Sequence, residues 1–162
     1  MIDWMLYLSD KLRCSKNIAI MGVGSVLRSD DGVGMFVVEL LSKKVIHDDI
    51  LLLAGSTAPE NFTGVIKEFN PDLLIVIDAA QMGLPVGEIK IIDPDEIEGM
   101  TFSTHMLPLN IMFQYLNLEI SCEIVCIGIQ PDNTDQGFEI CQQVQDSAQV
   151  LAKNLCDWLK RE

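Results

Sequence analysis

An apolar run, Ile18-Ala19-Ile20-Met21, leads into Gly22-Val23-Gly24-Ser25-Val26-Leu27-Arg28-Ser29-Asp30-Asp31-Gly32-Val33-Gly34, and an apolar-periodic run from Met35 to Leu41 follows. The first run reads as a buried strand and the second as a helix. A glycine-rich turn between strand and helix belongs to an open α/β sheet, where ligands bind at the carboxyl ends of the strands. This turn carries two adjacent carboxylates, Asp30 and Asp31, which point to a cation rather than a phosphate.

Phosphate chemistry fails on the residues themselves. The dinucleotide fingerprint needs a small residue three positions after the second glycine, and that position is Leu27. No Gly-Lys-Ser/Thr follows, so the turn is not a P-loop. Asp30 and Asp31 would repel a phosphate at the helix N-terminus, where anions are otherwise favoured. A plainer role is open to either aspartate, that of capping the helix and favouring its dipole.

The rest of the chain alternates regularly. Residues 3 to 13 read as a short amphipathic helix, with Met5, Leu6, Leu8 and Leu12 partly on one side. Strands are expected at Asn17 to Val23, Ile50 to Ala54, Asp72 to Ile77, Gly87 to Ile92 (towards an edge) and Cys122 to Ile129. Helices are expected at Gly32 to Lys44, after Thr57 up to Asn70-Pro71, at Leu109 to Leu118 with Pro108 in the first turn, and at Phe138 to Lys160. Thr57-Ala58-Pro59-Glu60 has the form of a capping box. Asp72-Leu73-Leu74-Ile75-Val76-Ile77 is near-continuously apolar, as in a central strand covered on both faces. The pattern predicts an α/β fold: one three-layer domain over 1–162, a twisted, mostly parallel sheet flanked by helices on both faces, with 1–16 an N-terminal helical extension.

Composition narrows the partners. The formal net charge of −13 argues against nucleic acid and against stable association with an anionic membrane, because both need clustered Lys and Arg. No run approaches the ~20 apolar residues of a membrane-spanning helix, and the start lacks a signal-peptide pattern. The five cysteines, Cys14, Cys122, Cys126, Cys141 and Cys156, show no zinc-knuckle spacing. They read as reduced thiols of a cytoplasmic protein, with Cys122 and Cys126 on one face of a core strand. The apolar residues of the last helix, Val150, Leu151, Leu155 and Leu159, read as core rather than a dimer stripe, so a monomer is expected.

Three polar residues stand out on this scaffold. Asp31 lies in the turn after the first strand, Asp78 at the carboxyl end of a very apolar strand, and His105 in a loop, Gly99 to His105. His105 is one of two histidines; the other, His47, stands in the polar connection Ile46-His47-Asp48-Asp49. Two carboxylates and an imidazole form a mixed oxygen and nitrogen set suited to zinc, nickel, iron or manganese. Asp78 capping the turn after its strand, and His105 packing in its loop, are the structural alternatives. The residues by themselves give an α/β protein with a divalent-metal or acid–base cleft.

Gly22 to Gly34 resembles the opening loop of the maturation endopeptidases of nickel–iron hydrogenases. So do Ser56-Thr57-Ala58-Pro59-Glu60-Asn61, Ile77-Asp78-Ala79, Met82-Gly83 with Gly87-Glu88-Ile89, and Asp93-Pro94-Asp95-Glu96-Ile97. Ser103-Thr104-His105 with Leu107-Pro108-Leu109-Asn110, and Gly128-Ile129-Gln130-Pro131-Asp132, continue the match in order. The resemblance is nearest to the branch that processes the large subunit of hydrogenase 3, the formate-hydrogenlyase type. One departure is Ser25, where that family usually has asparagine; another is the helix before Ser15.

The resemblance implies a phosphorylase/hydrolase-like α/β fold and an endopeptidase. Its substrate is the nickel–iron hydrogenase large-subunit precursor, which loses a C-terminal extension after nickel insertion, the cut falling after a basic residue beyond the last cysteine pair. By motif, nickel recognition carries over to Asp31, Asp78 and His105. The nickel comes with the precursor, and the set leaves room for another divalent metal, such as zinc or cadmium, in the isolated protein. Two mechanisms stay open: an aspartic-type one in which a carboxylate activates water, and a metal-assisted one in which nickel polarises the scissile carbonyl. A nickel-site-binding assembly chaperone without peptidase activity is the alternative function.

Overall fold

A computed structural model describes residues 1–93 and 106–160. Five strands form one sheet in the order β2-β1-β3-β5-β4. They are β1 (Ile18–Val23), β2 (Ile50–Ser56), β3 (Leu73–Ala79), β4 (Ile89–Ile92) and β5 (Glu123–Ile129). β1 is parallel to β2 and β3, and β3 is parallel to β5; β4 runs antiparallel to β5 at one edge. Every residue of β1 and β3 is buried, which explains their unbroken apolar sequence.

The strand period of two divides the interior into two cores, one on each face of the sheet. Ile18, Ile20, Leu73, Ile75 and Ile77 pack in one core with α1 (Trp4–Cys14), α2 (Val33–Ser42) and α5 (Gln142–Leu159). Ala19, Met21, Leu74, Val76 and Cys126 pack in the other with α3 (Thr63–Phe69) and α4 (Met106–Glu119). These are the three layers the sequence pattern predicts.

Local signals account for most of the boundaries. Asp3 caps α1 by accepting the Met5 and Leu6 N–H groups at 3.0 and 3.4 Å. Leu8 and Leu12 are buried, and Trp4 meets Trp158 of α5 edge-on at 6.4 Å between ring centroids. Asn70 ends α3 in the left-handed conformation just before Pro71. The Asp72 carboxylate accepts the N–H groups of Lys16 and Asn17 at 2.9 and 2.8 Å, tying the start of β3 to the start of β1.

Four expectations are corrected. Met5 and Leu6 face outward on α1, and Val150 is also exposed on α5. The Thr57 capping box does not form: Pro59–Phe62 is a 3₁₀ turn entered from Ala58 without a side-chain cap, because β2 continues to Ser56. The last helix begins at Gln142, not Phe138. Residues 131–141 are instead an irregular strap across the glycine-rich loop, held there by backbone hydrogen bonds that a helix would use internally. Among the described residues, no helix is long and apolar enough to cross a membrane.

Candidate active site

The strand order makes a topological switch point between β1 and β3. The chain leaves β1 for β2 on one side, and β3 then returns on the other. In open α/β sheets the crossovers diverge at such a point, and ligands bind at the carboxyl ends of the two strands. The loop after β1 carries Asp31, and β3 carries Asp78 one residue before its end.

Glycine lets these elements approach. Gly34, in the first turn of α2, sits where a Cβ would strike the Ile77 carbonyl oxygen and lie 2.7 Å from that of Val23. The helix therefore seats directly on the ends of β1 and β3. Gly24 has φ +124°, a conformation that side chains disfavour, and a Cβ there would collide with the Asp31 carbonyl. That same Cβ position lies 3.4 Å from Asp78 Oδ1.

Both aspartates thus flank one short piece of backbone. The Ser25 N–H donates to Asp31 Oδ2 at 2.8 Å, while Asp78 lies against Gly24. Asp31 and Asp78 are 2% and 5% exposed. The Ser25 hydroxyl accepts the Leu27 N–H at 3.2 Å, so serine fixes the turn here.

Asp30 and Asp31 belong to a 3₁₀ turn, Ser29–Gly32, and α2 starts from Gly32 with no side-chain cap. Neither aspartate therefore caps α2. Asp30 instead holds the strap: its carboxylate accepts the N–H groups of Asp132, Asn133 and Cys141 at 2.8, 3.1 and 2.8 Å. Ser29 N–H donates to the Gly137 carbonyl and Gly137 N–H to that of Leu27, both at 2.8 Å. Nothing local in the sequence marks Asp30 for this work, because its partners come from the far end of the chain.

Gln130 is a second buried polar residue whose role sequence reasoning missed. Its Oε1 accepts the Met82 and Leu84 N–H groups, and its Nε2 donates to Gln81 Oε1 and the Pro131 carbonyl. It pins the connection leaving β3 just beyond Asp78. The signal was its position after an apolar strand, within Gly128-Ile129-Gln130-Pro131-Asp132.

His105 lies outside the described residues, as does all of 94–105, the whole Gly99 to His105 loop included. Among the described residues, no group of three metal-ligating side chains forms. α4 begins at Met106, the next residue along, and packs on the same face of the sheet as Leu74 and Val76. By strand alternation Asp78 is on that face too. His47, the other histidine, is half-exposed and accepts the Asp49 N–H in the solvated connection before β2.

Four of the five thiols are held towards the neutral form. Burial, reinforced by Asp78 and then Asp93, pushes Cys126 up to about 12. Burial pushes Cys122 to about 11, and it also raises Cys141 and Cys156. A thiol held neutral neither attacks a carbonyl nor ligates a metal readily.

Known proteins are similar to this chain in sequence and fold. A family model described as HycI, hydrogenase maturation protease, matches residues 35–158. An inferred hydrogenase maturation protease of Methanocaldococcus jannaschii is 40% identical over 157 residues, covering 93% of this chain and 92% of that protein. The hydrogenase 3 maturation protease of Escherichia coli K12 is 34% identical, covering 86% and 88%. The crystal structure of the [NiFe] hydrogenase maturation protease HycI from Thermococcus kodakarensis superposes with a TM-score of 0.89 at 35% identity, over 96% of this chain and 99% of that one. With that fold and those sequences in common, the chain belongs to the hydrogenase maturation protease family.

Proposed function

We propose that the protein is an endopeptidase that removes the C-terminal extension of a nickel–iron hydrogenase large-subunit precursor once nickel is in place. It reads the nickel through Asp31, Asp78 and His105. The observation that carries the reading is the meeting of two buried aspartates at the Gly24–Ser25 backbone, in the crevice of the switch point. α4 supports the third member of the set, because its first residue follows His105 and it packs on the Asp78 face of the sheet.

The nickel is part of the substrate. Precursor thiolates hold it, and the two carboxylates and the imidazole complete its coordination, so only a loaded precursor is bound well. That arrangement sets the scissile peptide at the crevice. Water adds to the scissile carbonyl, a carboxylate takes the water proton, and the same proton passes to the departing amine. Nickel assists by orienting and polarising the peptide. The raised thiols, Cys126 above all, argue against a cysteine nucleophile.

Intact-mass spectrometry tests the proposal. Nickel-loaded and nickel-free precursors are each incubated with the protein. Loss of one C-terminal peptide from the loaded form alone is expected. Complex formation without any mass change would establish an assembly chaperone instead.

A further inference from the structure

Residues 99–118 hold no Asp, Glu, Lys or Arg, in a chain that is 22% charged and carries a net charge of −13. α4 is drawn from this stretch, and its only charged residue is its last, Glu119. A surface helix ordinarily sets charged residues opposite its buried stripe. α4 does not. Leu109, Met112, Phe113 and Leu116 pack in the core beneath it, whereas Ile111, Tyr115 and Leu118 are 60%, 40% and 86% exposed. Their spacing, i, i+4 and i+7, sets these three on one outer face as a continuous stripe.

The nearest charges cancel. Lys67 of α3 donates to the Tyr115 hydroxyl at 3.0 Å and pairs with Glu119 at 3.3 Å. The stripe is thus a neutral, apolar strip on an acidic protein. Contiguous apolar surface of this kind marks an interaction site.

Position decides the partner. α3 leads into the amino end of β3, and Lys67, in its last turn, meets Tyr115 and Glu119 near the end of α4. α4 therefore ends at the amino ends of the strands and starts, at Met106, at their carboxyl ends, where Asp78 stands on the same face of the sheet. At 1.5 Å per residue, Ile111, Tyr115 and Leu118 lie about 8, 14 and 18 Å along the helix from Met106. A protein interface of about 800 Å² per partner has a radius of about 16 Å. A folded subunit that presents its metal to Asp31 and Asp78 reaches Ile111 first, Tyr115 next and Leu118 last.

We infer that the outer face of α4, from Ile111 to Tyr115, docks an apolar, uncharged patch on the folded body of the metal-carrying precursor. This rests on the processing reading of Asp31 and Asp78.

The test is the kinetics of nickel-loaded precursor cleavage by Ile111→Glu, Ile111→Lys and Leu118→Glu, followed by mass spectrometry. Both positions are exposed and both new residues are good helix formers, so the fold is retained, and circular dichroism checks it. KM is expected to rise about tenfold in both Ile111 variants, with kcat within about twofold of wild type, and by less than about threefold in Leu118→Glu. Ile46→Glu, 93% exposed and remote from α4 in the connection before β2, is expected to change neither. Unchanged KM in the Ile111 variants, a fall in kcat alone, or a KM raised by glutamate and lowered by lysine (overall charge, not an apolar contact) would overturn the docking inference while leaving the cleavage reading intact.

Sedimentation of the same variants with the loaded precursor supplies the second measurement. If wild type binds the precursor but does not cut it, the processing reading fails, and a Kd raised about tenfold by both Ile111 variants still upholds the docking face. An unchanged Kd overturns it. So does a wild-type dimer that Ile111→Glu dissociates, since the stripe is then a seam between two copies.

Discussion

Asp30 and Asp31, adjacent in the chain, hold opposite ends of the site together. Asp30 reaches across to the N–H groups of Asp132, Asn133 and Cys141, whereas Asp31 Oδ2 takes the N–H of Ser25 beside Asp78. One carboxylate fixes the strap to the loop, and the other fixes the loop at the crevice. Both are almost fully buried, so the loop is held from two sides before any substrate arrives.

The two aspartates should therefore fail differently. Asp30→Ala leaves three backbone donors without their carboxylate, at about 1–3 kcal/mol for each that stays buried and unsatisfied. A net loss of about 3–5 kcal/mol of stability is expected, read from the urea midpoint at constant slope. Asp30→Asn, which keeps one acceptor oxygen, should fall between the two.

Asp31→Asn and Asp78→Asn should leave that midpoint within about 1 kcal/mol, because an amide oxygen still accepts a hydrogen bond. Cleavage of the loaded precursor should slow by about 10²- to 10⁴-fold, the usual range for loss of a positioned acid–base group. His105→Ala should also slow it. A normal rate in His105→Ala would remove that residue from nickel recognition.

Gly24→Ala should harm both properties. The new methyl group meets the Asp31 carbonyl at a backbone φ of +124°. The loop must shift, which separates Asp31 from the Asp78 side of the crevice. A fall in the thermal midpoint together with lost cleavage is expected. An active, fully stable variant would show that the loop adapts freely.

Alkaline pH should weaken the fold through its thiols. In the folded protein Cys122 and Cys126 stay neutral to about 11 and 12, against an ordinary value of 9.0. The unfolded chain releases those protons first. Their contribution is therefore complete below pH 9 and is lost as the pH rises towards 12. Urea midpoints should fall through that window, and Cys126→Ala should flatten the decline. A decline of the same slope in Cys126→Ala would assign it to other groups.

The sequence by itself determined most of the elements and singled out the carboxylates Asp31 and Asp78. Apolar runs set β1, β3 and β5, because a strand covered on both faces has no polar side to show. The glycine-rich turn was legible, and Asp31 and Asp78 followed from their places after apolar strands; that Gly24 and Gly34 mark close approaches came from the structure. Only the tertiary structure decided that β1 and β3 are neighbours, that β2 lies at the edge, and that α5 starts at Gln142 rather than Phe138. It also separated Asp30 from Asp31. Periodicity encodes which face a residue presents, but strand neighbours and carboxylate partners are long-range. The donors that claim Asp30 stand 102 to 111 residues away, and no local pattern in the chain records them.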